Sequence, residues 1–179
     1  MMRDQEHGDT SVLTALFGHN AWANRKLLDF CAALSAEQLD ATAIGGFGSI
    51  RDTLRHIVGA EVSYVERVTG QLPAQPLPPD QFPGFAVLQD AVRWAGDALL
   101  QLALAARQDT TVRQRPPRQL IAYPLASLMV QAVTHSTEHR TQIAAILTQL
   151  GLEPPDMSGW QYMEEQGELQ EFEAGAAGA

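Results

Sequence analysis

The chain has 179 residues and a hydrophobic content of 45%, enough for one domain with a substantial core and too little for two ordinary domains. Its 12 Lys and Arg face 21 Asp and Glu, a net charge of -9, so it lacks the basic surface that nucleic-acid binding requires. The first ten residues contain no apolar signal segment, and no apolar run is long enough to cross a bilayer. Cys31 is the only cysteine, which excludes an internal disulfide and is typical of a cytoplasmic protein.

The first predicted helix spans about Ser11 to Leu34. Asn20 and Asn24 fall on its apolar stripe, and because buried amides need hydrogen-bond partners, they should either bond across the fold or support a polar site. The stripe comprises Leu13, Leu16, Phe17, Leu27, Leu28, Cys31 and Leu34.

Three further helices follow from the same periodicity. The second runs from Ser49 to Thr69, with Ser49 as a cap and Gly70 as a stop. The five prolines between Pro73 and Pro83 exclude a helix there and predict an extended crossover. The third helix spans about Gly84 to Arg107, and the fourth about Pro124 to Leu150.

These elements predict an all-α fold, a four-helix bundle with a long crossover between helices 2 and 3. The segment from Thr110 to Ala122 suits an irregular connection or a short hairpin. We expect one domain over residues 1–166, followed from Gly167 by an acidic, frayed tail.

The fourth helix carries His135 and His139, which stand on one helix face because they are four residues apart. Both point into the bundle, near enough to bind one metal ion. Glu138 projects outward, so the helix is not a metalloprotease motif. A third ligand must come from another helix.

The candidates for the third ligand are His7, His19, His56 and Glu61. His7 and His19 are expected to face solvent. His56 lies to one side of the second helix's apolar stripe, whereas Glu61 lies near its middle. Periodicity alone therefore leaves the choice between His56 and Glu61 open.

Three passages resemble the DinB family of metal-binding helical proteins, in their order and separations as well as their residues. They are Phe17 to Asn24 in the first helix, Gly48 to Glu61 in the second, and His135 to Ile143 in the fourth. The resemblance implies a four-helix bundle, often dimeric, with a metal held by His56, His135 and His139. Glu61 then becomes a buried acceptor behind the ligands or a structural partner.

The resemblance also implies a function: a metal-dependent thiol S-transferase acting on small electrophiles, with zinc or nickel as the metal and a low-molecular-weight thiol as cofactor. Alternatives are a metal-dependent hydrolase, a non-catalytic metal-binding stress-response protein and a metal-free interaction module. We expect a cytoplasmic homodimer with a small-molecule substrate.

Five other side chains are candidates for a role in packing or at an interface. Arg140 is expected to have a structural role, and Trp22 to lie on the surface or at a dimer contact. Tyr123, Trp160 and Tyr162 could wall a pocket or fill the end of the bundle.

Overall fold

The computed structural model describes residues 12–107, 109–114 and 121–170. Within these ranges the regular secondary structure is helical apart from one pair of short strands, so the predicted all-α class is confirmed. The elements are α1 (Val12–Cys31), α2 (Ala36–Leu39), α3 (Ile50–Thr69), α4 (Phe85–Ala105), β1 (Thr111–Arg113), β2 (Ala122–Pro124), α5 (Leu125–Gln149) and α6 (Gly159–Glu165).

The ends of α2 and α3 are fixed by local chemistry. Ser35 and Gln38 form a reciprocal capping box at the start of α2. Ser49 caps α3 by accepting a hydrogen bond from the backbone N–H of Asp52, and Gly70 ends that helix with a φ of 73°. Both boundaries of α3 therefore match the sequence signals.

The proline-rich crossover runs back along α3. The Arg51 guanidinium lies over the Phe82 ring at 5.4 Å, and the Arg55 guanidinium donates to the Pro79 carbonyl. Helix α4 therefore begins at the same end of the bundle as α3 and runs parallel to it. This arrangement is the long crossover that the sequence predicts.

Helix α5 runs antiparallel to α3. It begins directly after β2, which pairs with β1 through Val112 and Tyr123. Gln114, just after β1, contacts Arg67 near the end of α3, so α5 begins where α3 ends. The segment from Thr110 to Ala122 thus forms a hairpin in its described part. Pro124 ends β2 and caps α5 from outside, rather than occupying its first turn.

The core consists of two apolar clusters with a buried polar layer between them. The cluster at the start of α3 includes Leu27, Leu28, Cys31, Ile50, Leu54, Ile57, Leu88, Val92, Ile143 and Ile146. The cluster at the hairpin end includes Phe17, Val65, Leu99, Val112, Leu125, Leu128, Met129 and Ala132. The polar layer comprises Asn20, Asn24, Glu61, Ser136 and Arg140, all at most 4% exposed.

Cys31 is fully buried, and burial raises the pKa of its thiol to about 12, so it behaves as the expected small hydrophobe. Leu13 and Leu16 are not buried, although both belong to the apolar stripe predicted for the first helix. Each is 42% exposed, and both line an open apolar cleft with Phe17, Ala103 and Met129.

Helix α6 has no counterpart among the predicted elements, and it corrects the interpretation of Trp22. That side chain is only 8% exposed, since its indole N–H donates to Glu165 at 2.8 Å and its ring packs against Tyr162. His19 is also not solvent-facing: it is half-buried and hydrogen-bonded to the Met157 carbonyl at 2.9 Å.

The other two aromatic residues near loops have separate environments. Trp160 is 72% exposed and fills no part of the bundle, while Tyr123 is half-buried in the hairpin. His7 lies outside the described residues, as does the predicted tail from residue 171 onward. None of the described helices combines the length and apolarity that crossing a membrane demands.

Candidate metal centre

Three histidines meet between α3 and α5. His56 lies in the second turn of α3, and His135 and His139 lie one turn apart on α5. One nitrogen from each ring lies within 4.8 Å of the other two, and the Nε2 atoms of His56 and His135 are 3.0 Å apart. The structure therefore brings together the three residues that the family resemblance implies, which we call the three-histidine cluster.

Two residues outside the cluster orient its rings. The Phe47 ring stacks on His56 with centroids 3.9 Å apart, and its edge meets His139 at 5.2 Å. The Gln142 side-chain oxygen accepts from His139 Nδ1 at 2.9 Å and from the Phe47 backbone N–H at 3.2 Å. Because an amide oxygen only accepts, His139 carries its proton on Nδ1 and presents an Nε2 lone pair to the cluster.

The cluster favours neutral imidazoles. Burial, reinforced by the charges of His135 and His139, lowers the pKa of His56 to about 4. Burial and the charge of His139 also lower the pKa of His135. These two rings are therefore uncharged near pH 7, the form in which histidine binds a metal.

The donor set fits a divalent transition metal. Among the described residues, the three-histidine cluster is the only group of His, Cys, Asp or Glu with ligand spacing. Three imidazole nitrogens suit zinc or nickel and leave a coordination position open for water or a ligand. The Nε2 atoms of His56 and His135 are at hydrogen-bond distance, so both nitrogens could bind the same cation.

Glu61 does not join this cluster. Its Oε1 accepts hydrogen bonds from Asn20, Asn24 and Ser136 at 2.7 to 2.8 Å, while its Oε2 has no partner among the described residues. Burial raises the pKa of this carboxyl. Glu61 therefore belongs to the polar layer and not to the three-histidine cluster.

Arg140 completes the polar layer on the other side of the two asparagines. It donates to Asn20 Oδ1 at 2.9 Å, to Asn24 Oδ1 at 2.6 Å and to the Thr137 hydroxyl. Burial lowers its pKa to about 10, so it stays charged at neutral pH. The asparagines thus bond across the bundle and join a cation to a carboxyl, and Arg140 has the expected structural position.

A cleft of about 370 Å³ opens beside the three-histidine cluster. Its lining residues are Arg55, His56, Gly59, Ala60, Ser63, Tyr64, Arg67 and His135. Two of the three histidines therefore face a space large enough for a small molecule.

Sequence reasoning missed Phe47 and Gln142 as parts of the site. Phe47 stands among glycines immediately before the helix of His56, and Gln142 lies one turn after His139. An acceptor at that spacing from a candidate ligand is the signal that could have identified Gln142.

Comparisons with known proteins agree with this architecture. A crystal structure of a DinB-like protein from Bacillus cereus superposes with a TM-score of 0.58 at 18% identity, covering 80% of this chain and 94% of that one. No curated protein matches the sequence. The model of the DinB family matches residues 2–173, and the chain therefore belongs to the DinB family.

Proposed function

We propose that the protein binds one divalent cation, zinc or nickel, through His56, His135 and His139, and uses it in small-molecule chemistry. The observation that carries the proposal is the convergence of three ring nitrogens, two of them on neutral imidazoles, beside an open cleft. Neutral ligands leave the full charge of the cation available to stabilise an anion in the open position.

The reaction that we propose is thiol S-transfer to a small electrophile. A bound divalent cation would lower the pKa of a thiol so that it reacts as the thiolate. The sulfur forms a bond to the electrophilic carbon, the leaving group departs with the bonding electron pair, and the thiol proton passes to solvent.

The chain's own residues contribute orientation and shielding. The Gln142 oxygen holds the tautomer of His139, and the Phe47 ring covers His56. Substrates then approach from the side of the cleft, where His56 and His135 are partly accessible. The DinB-family resemblance further supports a homodimer, which sedimentation can test.

The test starts from untagged protein, in which elemental analysis after reconstitution should find about one zinc or nickel ion per chain. Replacing His135 or His139 by Ala should abolish binding, whereas Glu61→Ala should retain it. Substoichiometric metal in the wild type would overturn the metal site itself.

The cobalt-substituted protein then tests the chemistry. A small thiol should produce a sulfur-to-cobalt charge-transfer band, and the zinc protein should consume an electrophile such as 1-chloro-2,4-dinitrobenzene together with that thiol. If the protein binds metal but shows neither the charge-transfer band nor consumption of the electrophile, thiol transfer is wrong. Hydrolysis or a non-catalytic stress-response role then becomes the better proposal.

A further inference from the structure

The cleft beside the three-histidine cluster follows one face of α3. Its floor is formed by His56, Gly59, Ala60, Ser63 and Arg67, which recur at the spacing of helical turns. Gly59 has no side chain, and a Cβ added there would meet no atom within 4 Å. The floor is therefore open between the histidine end and the Arg67 end.

Two half-buried arginines border this cleft, and both are held in place by neutral groups. The Arg67 Nε and Nη1 atoms donate to the Ser63 hydroxyl at 3.2 Å and to the Gln114 side-chain oxygen at 3.0 Å. Arg55 donates to the Pro79 carbonyl in the crossover. Each guanidinium is thus positioned by neutral acceptors and not by an ion pair with a carboxylate.

The charge of these arginines is not balanced at the cleft. The ion pairs among described residues are Lys26 with Glu165, Arg51 with Asp40, and Arg93 with Asp90. No acidic side chain lines this cleft in the described part of the chain. In a protein with a net charge of -9, two arginines therefore line this cleft without an acidic residue among its described lining, and Glu66 lies in the adjoining cleft that Arg55 also borders.

We propose that the cleft binds a small molecule carrying a carboxylate, which Arg55 and Arg67 recognise while its reacting end faces the three-histidine cluster. A guanidinium suits this role because its fixed N–H donors match the two oxygens of a carboxylate. The placement of the reacting end rests on the proposed metal function, whereas recognition of the carboxylate does not.

Calorimetric titration of the zinc-loaded protein with two thiols separates the effects of sulfur and charge. Mercaptosuccinate carries carboxylates, and 1-thioglycerol is a neutral thiol of similar size. We expect mercaptosuccinate to bind at least about tenfold more tightly, as charge-assisted hydrogen bonds imply. Equal affinities would overturn the inference.

Arginine variants assign that preference to the cleft. The double variant R55Q/R67Q should lose the preference for mercaptosuccinate and retain its affinity for 1-thioglycerol, while R55K/R67K should recover part of the preference. Arg93→Gln removes one positive charge from the exposed surface of α4 and should change neither affinity. An equal loss in R93Q and in either arginine variant of the cleft would show a general charge effect and overturn the assignment.

Succinate and metal-free protein distinguish this inference from the proposed function. If the wild type takes up no zinc, the proposed function fails, but succinate should still bind metal-free protein and lose its binding in R55Q/R67Q. Absence of succinate binding to the metal-free wild type would overturn the inference even where zinc binds normally.

Discussion

The polar layer and the three-histidine cluster both use side chains of α3 and α5, and α1 adds two asparagines to the polar layer, yet the polar groups of the two sites are satisfied in different ways. In the polar layer, Asn20 and Asn24 each donate to Glu61 and accept from Arg140, so the chain supplies nearly every partner. In the cluster, ring nitrogens face one another, and the buried His135 Nδ1 has no partner in the part of the chain that the structure describes. Among the described residues, the first arrangement leaves only Glu61 Oε2 without a partner, whereas the second brings together three ring nitrogens that could bind a cation.

Removing Arg140 should have the largest effect on stability. Arg140→Ala leaves Glu61 without a compensating charge and two asparagine oxygens without donors, and we expect the free energy of unfolding to fall by about 3–5 kcal/mol. Urea denaturation measures this. Arg93→Ala, at an exposed arginine, is the control and should change stability by less than about 0.5 kcal/mol. A loss below about 1 kcal/mol for Arg140→Ala would contradict the structural role of the polar layer.

Gln142→Ala probes the cluster without removing a ligand. The variant loses the acceptor that holds His139 and the Phe47 backbone, so metal affinity should fall by about 10- to 100-fold. Competition with a chromogenic chelator measures the affinity. Glu138→Ala, at an exposed position on the same helix, should bind as the wild type does. Unchanged metal affinity in Gln142→Ala would show that Gln142 does not support the metal site.

The Glu61→Gln variant tests how the stability of the polar layer depends on pH. Burial raises the pKa of Glu61 in the folded state above its ordinary 4.5, so the folded protein holds this proton more tightly than the unfolded chain. The contribution to stability is complete below the unfolded pKa and is lost as pH rises through the folded value. Relative to Glu61→Gln, the wild type should therefore become less stable as pH rises above about 4.5.

Urea denaturation of both proteins across this range tests the sign. The difference between the two proteins measures the contribution of the Glu61 carboxyl. A wild type that gains stability over Glu61→Gln with rising pH would show that hydrogen bonds to Oε1 outweigh burial.

The smallest expected effect on stability comes from replacing Gly59 by Ala, and the same replacement at Gly96 is its control. Gly59→Ala meets open space and should raise the free energy of unfolding by about 0.5–1 kcal/mol. Gly96→Ala should instead destabilise, because its Cβ would lie 2.8 Å from that of Ala21 on α1. Thermal denaturation compares them. A destabilised Gly59→Ala would mean that the floor of the cleft is packed rather than open.

Local signals in the sequence predicted much of the fold. The cap at Ser49, the stop at Gly70 and the prolines of the crossover each act through neighbouring backbone, and their positions were confirmed. The apolar stripes also identified the four long helices. Such features depend on residues a few positions apart, which a sequence displays directly.

The parts that the sequence did not predict depend on distant contacts. Trp22 is covered by α6 through Glu165, 143 positions along the chain, and no local pattern indicates that pairing. Periodicity left His56 and Glu61 open because it locates the centre of the core, and His56 faces the boundary between α3 and α5 instead. Only the DinB resemblance favoured the residue that the structure places in the cluster.

The order of synthesis gives the polar layer a consequence for folding. Arg140 is 120 positions from Asn20 and 116 from Asn24, so α1 is made long before the guanidinium that its amides bind. Contacts across such separations form late and slow the folding of a helical protein, because a long loop must close first. Until α5 leaves the ribosome, α1 can pack on α3 and α4 and the two amides can donate to Glu61, but the amide oxygens still lack the guanidinium that they bind in the folded protein.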